Sequence, residues 1–148
     1  MIEMDESLRT AIAAAWDNGH PFVLAAVDAD GQPSASYYGT LQAIDGQRMG
    51  LWSRRPANLL ARIGANPKVA LAHWDPDRKV LVRCEGRAEV TLDEATRTTI
   101  FEGSPEAERA SDPERKGTAV VIELTRVYGF LHGERFDMRA ESSEAPAG

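Results

Sequence analysis

The clearest pattern in the chain lies at residues 79–90. Val80, Val82, Cys84, Gly86, Ala88 and Val90 alternate with Lys79, Arg83, Glu85, Arg87 and Glu89, and Leu81 is the only exception. A period of two is that of a strand with one face in a core and the other in water. Cys84, between valines on the inward face, reads as a packed core thiol. Residues 21–28, Pro-Phe-Val-Leu-Ala-Ala-Val-Asp, are instead a short apolar run without a polar side. That fits a strand covered on both faces. Turn residues at Asp28 to Gly31, Asp45-Gly46 and Asp75 to Asp77 separate further strands at about 33–43, 48–53 and 68–75. A last strand covers about 118–132, with Val120, Ile122, Leu124, Tyr128 and Phe130 on one face.

Helical spacing appears between these runs. Leu8, Ile12 and Trp16 recur every four residues within 5–17, and Asp5 is placed to cap the start. Pro56 suits the first turn of a second helix, whose face is Leu59, Leu60 and Ile63 and which Gly64 to Pro67 end. Residues 93–101 resemble a third helix, and 103–117 read as loop or broken helix. After Gly133 the chain turns polar, so 1–134 is expected to be one domain and 135–148 a disordered tail. Six strands joined mostly by hairpins predict a mainly β fold, a closed antiparallel barrel with peripheral helices.

Composition narrows the function classes. A chain of 148 residues is one ordinary domain. Its formal net charge of −6 argues against general nucleic-acid binding, which needs a clustered positive face. No apolar run approaches the ~20 residues that span a bilayer. The first ten residues lack the order of a secretion signal. A cytoplasmic protein is expected, with no membrane partner. A lone cysteine makes neither an internal disulfide nor a cysteine-rich zinc site. His20, His73 and His132 are too scattered to suggest a metal site, and no Gly-x-Ser-x-Gly elbow occurs. His73 and Trp74, closing a strand, fit ordinary strand positions better than a pocket.

The segment that carries chemistry is Leu51-Trp52-Ser53-Arg54-Arg55-Pro56-Ala57-Asn58. A strand ends and a helix begins within it. The first turn of a helix presents unpaired N–H groups and the positive end of the helix dipole, which together attract anions. Arg54 and Arg55 add planar, permanently charged donors, and Ser53 adds a hydroxyl. A phosphate-sized anion fits this corner. From local chemistry alone, a solvated loop pair is the better account of the two arginines, because Arg-Arg dipeptides are common.

The order Ser53-Arg54-Arg55, then Asn58-Leu59, then Asn66-Pro67-Lys68-Val69, resembles the signature of the pyridoxamine-phosphate-oxidase-like family of flavin-binding split barrels. Cys84 to Val90 is similar to that family's Glu-Gly-x-Ala strand. Phe22 to Ser36, with its Asp-x-Asp-Gly-x-Pro centre, is similar to its opening. The resemblance spans about residues 20–131. It implies a six-stranded split barrel that forms a homodimer, with flavin mononucleotide (FMN) at the interface. By position, Ser53, Arg54 and Arg55 would hold the phosphate with Asn58 close by. Met49 to Trp52, Leu51 included, would run under the flavin ring, and Ser36, Tyr37 and Tyr38 would flank it. One departure is that residues 34–39 carry no basic residue, where true pyridoxamine phosphate oxidases have Arg and Lys. The chain also stops soon after Phe136, before any Arg-rich segment of the kind that grips that substrate. Pyridoxamine phosphate is therefore not the expected substrate. The resemblance implies an FMN-dependent oxidoreductase acting on an unassigned small molecule. No catalytic acid or base stands out. Two alternatives remain: a reductase using the deazaflavin coenzyme F-420, and a flavin- or haem-binding carrier or sensor without turnover. Arg62 and Lys68 are available for the longer deazaflavin tail, while the overall acidity favours the shorter cofactor.

Overall fold

In a computed structural model, which describes residues 1–141, the strands pair as one curled antiparallel sheet. The elements run α1 (Glu6–Ala13), β1 (Phe22–Val27), β2 (Pro33–Tyr38), β3 (Gln42–Ala43), β4 (Arg48–Ser53), α2 (Ala57–Ala65), β5 (Lys68–Asp75), β6 (Val80–Val90), α3 (Glu94–Glu102), α4 (Glu106–Ala110), β7 (Thr118–Leu131) and β8 (Glu134–Arg139). The sheet order is β2-β1-β5-β6-β7-β4-β3, and β8 adds to β7. The fold is mainly β with peripheral helices, as the alternation predicts. The expected closed barrel of six strands is corrected on both counts: there are eight strands among the described residues, and the sheet is open.

Two local causes account for the extra strands. The predicted strand at 33–43 breaks at Gly39–Leu41, where the chain leaves the β1 side of the sheet and crosses to β4. Gly39 passes the Trp16 ring so closely that a Cβ would lie 2.6 Å from it. Thr40 bridges the seam: its hydroxyl donates to the Trp52 carbonyl at 2.7 Å and accepts from the Trp52 N–H at 3.0 Å. One side chain thus stands where a ladder would close the barrel. The eighth strand comes from the expected tail. His132 and Gly133 both take positive φ, 51° and 86°, so a two-residue turn of primed type folds β8 back along β7. Residues 142–148 of that tail lie outside the described residues.

The main core fills the inside of the curl. Met49, Leu51, Val82, Cys84, Val120, Ile122 and Val127 have at most 1% of their surface exposed. Leu8 and Ile12 of α1 pack onto this core, and Asp5 caps the helix by accepting the Leu8 N–H. Trp16, expected on the same helix face, lies beyond the helix end and is 43% exposed. A second cluster lies outside β4, where Trp52 packs with Ile100 and Phe101 of α3 and with Ala119 and Val121. Strand β4 is therefore covered on both faces. Strand β1, expected to be so covered, alternates buried and half-buried.

Strand β7 corrects the expected shared face. Glu85 pairs with Arg126 and Gly86 with Leu124, which leaves Thr125 as an extra residue. This bulge shifts the alternation by one. Val127 therefore turns into the core, while Tyr128 and Phe130 fall on the opposite face.

Candidate functional site

Strand β4 delivers Ser53 to the edge of the core, 7% exposed, and the chain then turns through exposed Arg54 and Arg55 into α2. Pro56 is the N-cap residue and provides no side-chain cap, and no acidic residue lies in the first turn. The N–H groups of Ala57, Asn58 and Leu59 are thus the free donors that any helix start presents. Leu59 and Ile63 anchor α2 in the core. Asn58 and Arg62 lie one turn apart on the flank beside that core face, and Arg55 stands just before the helix.

This corner adjoins β2 in two connected depressions. One, of about 310 Å³, lies between α2 and β2 and is bordered by Ser34, Ser36, Tyr38, Arg55, Asn58 and Arg62. The other, of about 390 Å³, continues past Ser36 and Tyr38 to Thr40, Ser53, Arg54 and Glu108. Together they form a trough that brings Ser36, Tyr37, Tyr38, Ser53, Arg54, Arg55 and Asn58 to one place. Tyr37 stands at its rim, 74% exposed. Leu51 does not reach it, being wholly buried in the main core. Trp52 borders the trough but is 2% exposed, with its ring held in the outer cluster. Both side chains are used for packing, so a flavin lying along β4 would meet backbone rather than side chain at these two positions.

The arginines of the corner differ. Arg54 Nε donates to Glu108 Oε2 at 3.0 Å, which leaves its two terminal nitrogens free for another acceptor. Arg55 and Arg62 enter none of the ion pairs among the described residues. Arg62 Nη1 donates to the Asn58 carbonyl at 3.3 Å. Its Nε is buried and has no partner. Such a group costs about 1–3 kcal/mol when nothing answers it. Burial pushes the Tyr38 hydroxyl above the ordinary tyrosine range, against the opposing pull of Arg62. Tyr38 is thus a neutral donor at physiological pH.

The corner is braced from behind by the 104–117 segment. Asp112 Oδ2 accepts from Trp52 Nε1 at 2.9 Å and from the Gly117 N–H at 2.8 Å, and Oδ1 accepts from the Lys116 N–H at 2.9 Å. Burial raises the Asp112 carboxyl, but these donors and Arg54 outweigh it and hold the group below the usual carboxylate range. Gly117 admits no side chain, since a Cβ would fall 2.4 Å from Trp52 Nε1.

Glu108 and Asp112 were not singled out by the sequence, because they reach β4 only through tertiary packing. Arg62 was linked only to a longer cofactor tail, although it stands one helical turn after Asn58. Lys68, its companion in that reading, lies apart, on a groove of about 770 Å³ across the outer sheet face. That groove is larger than the trough but mixes Lys68, Glu85 and Arg87 over small apolar residues, so Glu85 offsets one of its two cations.

The remaining candidates are structural. His73 is 3% exposed, stacks on Phe22 at 5.1 Å, and its Nδ1 lies 2.6 Å from the His20 carbonyl. Burial holds its imidazole below the ordinary histidine range, against that hydrogen bond. Trp74 packs edge-on against Phe130. Cys84 is 1% exposed, and burial pushes its thiol up to about 12. His20, Asp75 and Asp77 offer ligand atoms within 4.8 Å of one another. Asp75 is already engaged there: Oδ1 accepts from the Asp77 and Arg78 N–H groups, and Oδ2 from the Arg78 guanidinium.

The profile of the family described as pyridoxamine 5'-phosphate oxidase matches residues 8–132. No curated protein matches the chain. Among solved structures, general stress protein 26 from Bacillus anthracis str. Sterne superimposes with a TM-score of 0.66 at 15% identity, over 89% of this chain and 98% of that one. An FMN-binding protein from Syntrophomonas wolfei subsp. wolfei gives 0.59 at 14% identity, over 84% and 86%. An F-420 reductase gives 0.55 at 23% identity, over 73% and 88%. At these identities the likeness speaks for the fold.

Proposed function

The chain belongs to the pyridoxamine 5'-phosphate oxidase family, and from that premise we propose that it binds FMN in the trough and acts as a flavin-dependent oxidoreductase. The observation that carries this reading is the start of α2: free first-turn amides, no carboxylate in the turn, and Arg54 and Arg55 immediately before it. These residues fit a phosphate monoester, because planar guanidinium donors and backbone N–H groups both match its oxygens.

Ser53, Arg54, Arg55 and the amides of Ala57 and Asn58 would hold the phosphate. Ser36, Tyr37 and Tyr38 would border the rest of the cofactor. When bound, the flavin supplies the hydride and electron chemistry. The chain's own part is to grip, orient and shield it, and Tyr38 offers a proton-bearing donor. The substrate is a small molecule other than pyridoxamine phosphate. No residue is assigned as a catalytic acid or base.

A homodimer with the cofactor at its interface is part of the proposal. Its support is the outer face of β1 and β5, where Val23, Ala25, Ala70 and Ala72 leave small apolar surface half-buried or exposed. No described helix is long and apolar enough to cross a membrane. A cytoplasmic setting is proposed on the lone thiol and the acidic composition.

The test is to take the visible spectrum of the purified protein and titrate it with FMN, riboflavin and coenzyme F-420, followed by reduced nicotinamide. Saturable FMN binding that exceeds riboflavin binding, with faster nicotinamide oxidation, supports the reading. Binding of the deazaflavin alone moves the chain to the other cofactor. FMN binding without turnover makes it a carrier. Binding of none of these removes the function.

A further inference from the structure

The part of the trough between α2 and β2 holds two arginines and no carboxylate. In a chain with 23 acidic residues, that is an unusual stretch of wall. Several arginines elsewhere are answered by a carboxylate: Arg48 by Asp45, Arg78 by Asp75, Arg115 by Glu102, Arg126 by Asp137. Arg62 is not. Its inner nitrogen is the one buried side-chain nitrogen or oxygen among the described residues without a hydrogen-bond partner. Its single bond is a long one, to a carbonyl of its own helix. Around it stand Ser34, Ser36 and Tyr38, three hydroxyls at alternate positions of β2, with Asn58 one turn earlier on its helix and Arg55 just before the helix.

A guanidinium buried for packing alone is normally given an acceptor, because leaving its donors unanswered opposes folding. Here the acceptor is missing and the surrounding groups are donors or neutral. The arrangement has the polarity of a receptor for a doubly charged oxyanion. It also supplies what β2 lacks, since residues 34–39 carry no basic side chain.

We propose that Arg62 is a phosphate-binding residue, closing from the second turn of α2 with Arg55, which stands just before the helix, on a phosphate monoester dianion while Ser34 and Ser36 donate from β2. The identity of the ester rests on the flavin reading above. The anion site itself does not.

The experiment uses the full chain and the variants R62Q and R62K. Affinities for FMN and riboflavin are measured by flavin fluorescence quenching. Inorganic phosphate is probed separately by its effect on the melting temperature, against chloride at equal ionic strength. Wild type should bind FMN more tightly than riboflavin and be stabilised by phosphate. R62Q should lose at least about tenfold in FMN affinity, leave riboflavin affinity unchanged, and lose the phosphate stabilisation. R62K, which keeps the charge but not the fork, should recover part of both. Wild-type FMN affinity in R62Q, or an equal loss of FMN and riboflavin, overturns the proposal. So does a wild-type protein that phosphate and FMN both leave unaffected. If wild type responds to phosphate but not to FMN, the flavin reading fails; Arg62 then stands only if R62Q abolishes that response. Should R62Q not fold, R62K decides: wild-type discrimination between FMN and riboflavin together with unchanged phosphate stabilisation overturns the assignment, and a partial loss of both upholds it.

Discussion

Two polar side chains flank the β4–α2 corner, and they are treated in opposite ways. Asp112, behind it, is 8% exposed and has three N–H donors on its two oxygens. Arg62, in front, is half-buried and keeps a dry nitrogen with no acceptor. A saturated group serves the fold, because all its hydrogen-bonding capacity is spent inside the molecule. An unsaturated guanidinium that also borders the trough, as Arg62 does, still has donors to offer to something that is not part of the chain. The contrast separates framework from receptor within a single corner.

The largest expected effect tests the framework side. Asp112→Ala strands the Trp52 indole N–H and two backbone amides, and should cost about 3 kcal/mol in a denaturant titration. Arg62→Ala, measured without ligand, should be neutral or stabilising, since it removes an unanswered group. Equal losses in the two variants would erase the distinction.

Next comes the receptor side. Arg54→Ala combined with Arg55→Ala should weaken FMN binding by about a hundredfold, with the melting temperature within about 2 °C of wild type. Flavin affinity that survives the double change would move the phosphate elsewhere.

A smaller effect concerns the other satisfied polar cluster, around His73 and Asp75. Burial depresses His73, so the unfolded chain takes up protons first as pH falls below the ordinary histidine range. Burial alone would raise Asp75, but the Arg78 amide and guanidinium and His20 hold it below its usual range. Its stabilisation is therefore present above the unfolded carboxylate range and is lost as pH falls through the folded value. Both shifts make acid destabilising: His73 first, below about pH 6.5, and Asp75 at lower pH. Melting curves between pH 7 and pH 5 should show the decline, and His73→Phe should flatten it. A wild-type midpoint that rises over this interval would contradict the His73 assignment.

The smallest effect is a null one. With its pKa near 12 and no exposure, Cys84 should not react with a thiol reagent at neutral pH until the chain unfolds. Prompt labelling of the native protein would show that the inner face of β6 opens.

Most strands were legible because their signal is local. Residues 48–53 and 68–75 form strands with the predicted bounds, and Val80 to Ala88 face inward as their alternation requires. Where a distant residue decides, the pattern was silent. The strand breaks at Gly39, where the backbone passes the Trp16 ring; the glycine hints at a close approach, but the ring it meets lies more than twenty residues away in the chain. The bulge at Thr125 depends on its fit with Glu85 and Gly86. Strand β8 did have a signal, since Phe136 and Met138 alternate with charged residues after the His132-Gly133 turn, but the polar composition masked it. The site divides the same way. Ser53 to Asn58 could be read as an anion corner because a helix start advertises its donors. That Leu51 and Trp52 would be consumed by two cores could not, because the outer cluster is built by α3, more than forty residues downstream.

The extra residue in β7 divides the labour along a single strand. Before Thr125 its free edge belongs to β4, and after it to β8. The inward and outward series also exchange parity at that point, as two gratings do when one is displaced by a single line. Removing Thr125 would restore one phase and misplace every side chain on one side of the join, whereas a change of two residues would preserve it. The strand that carries the wall behind the anion corner and the strand that carries the arginine-rich outer face are thus one piece of chain kept in two registers.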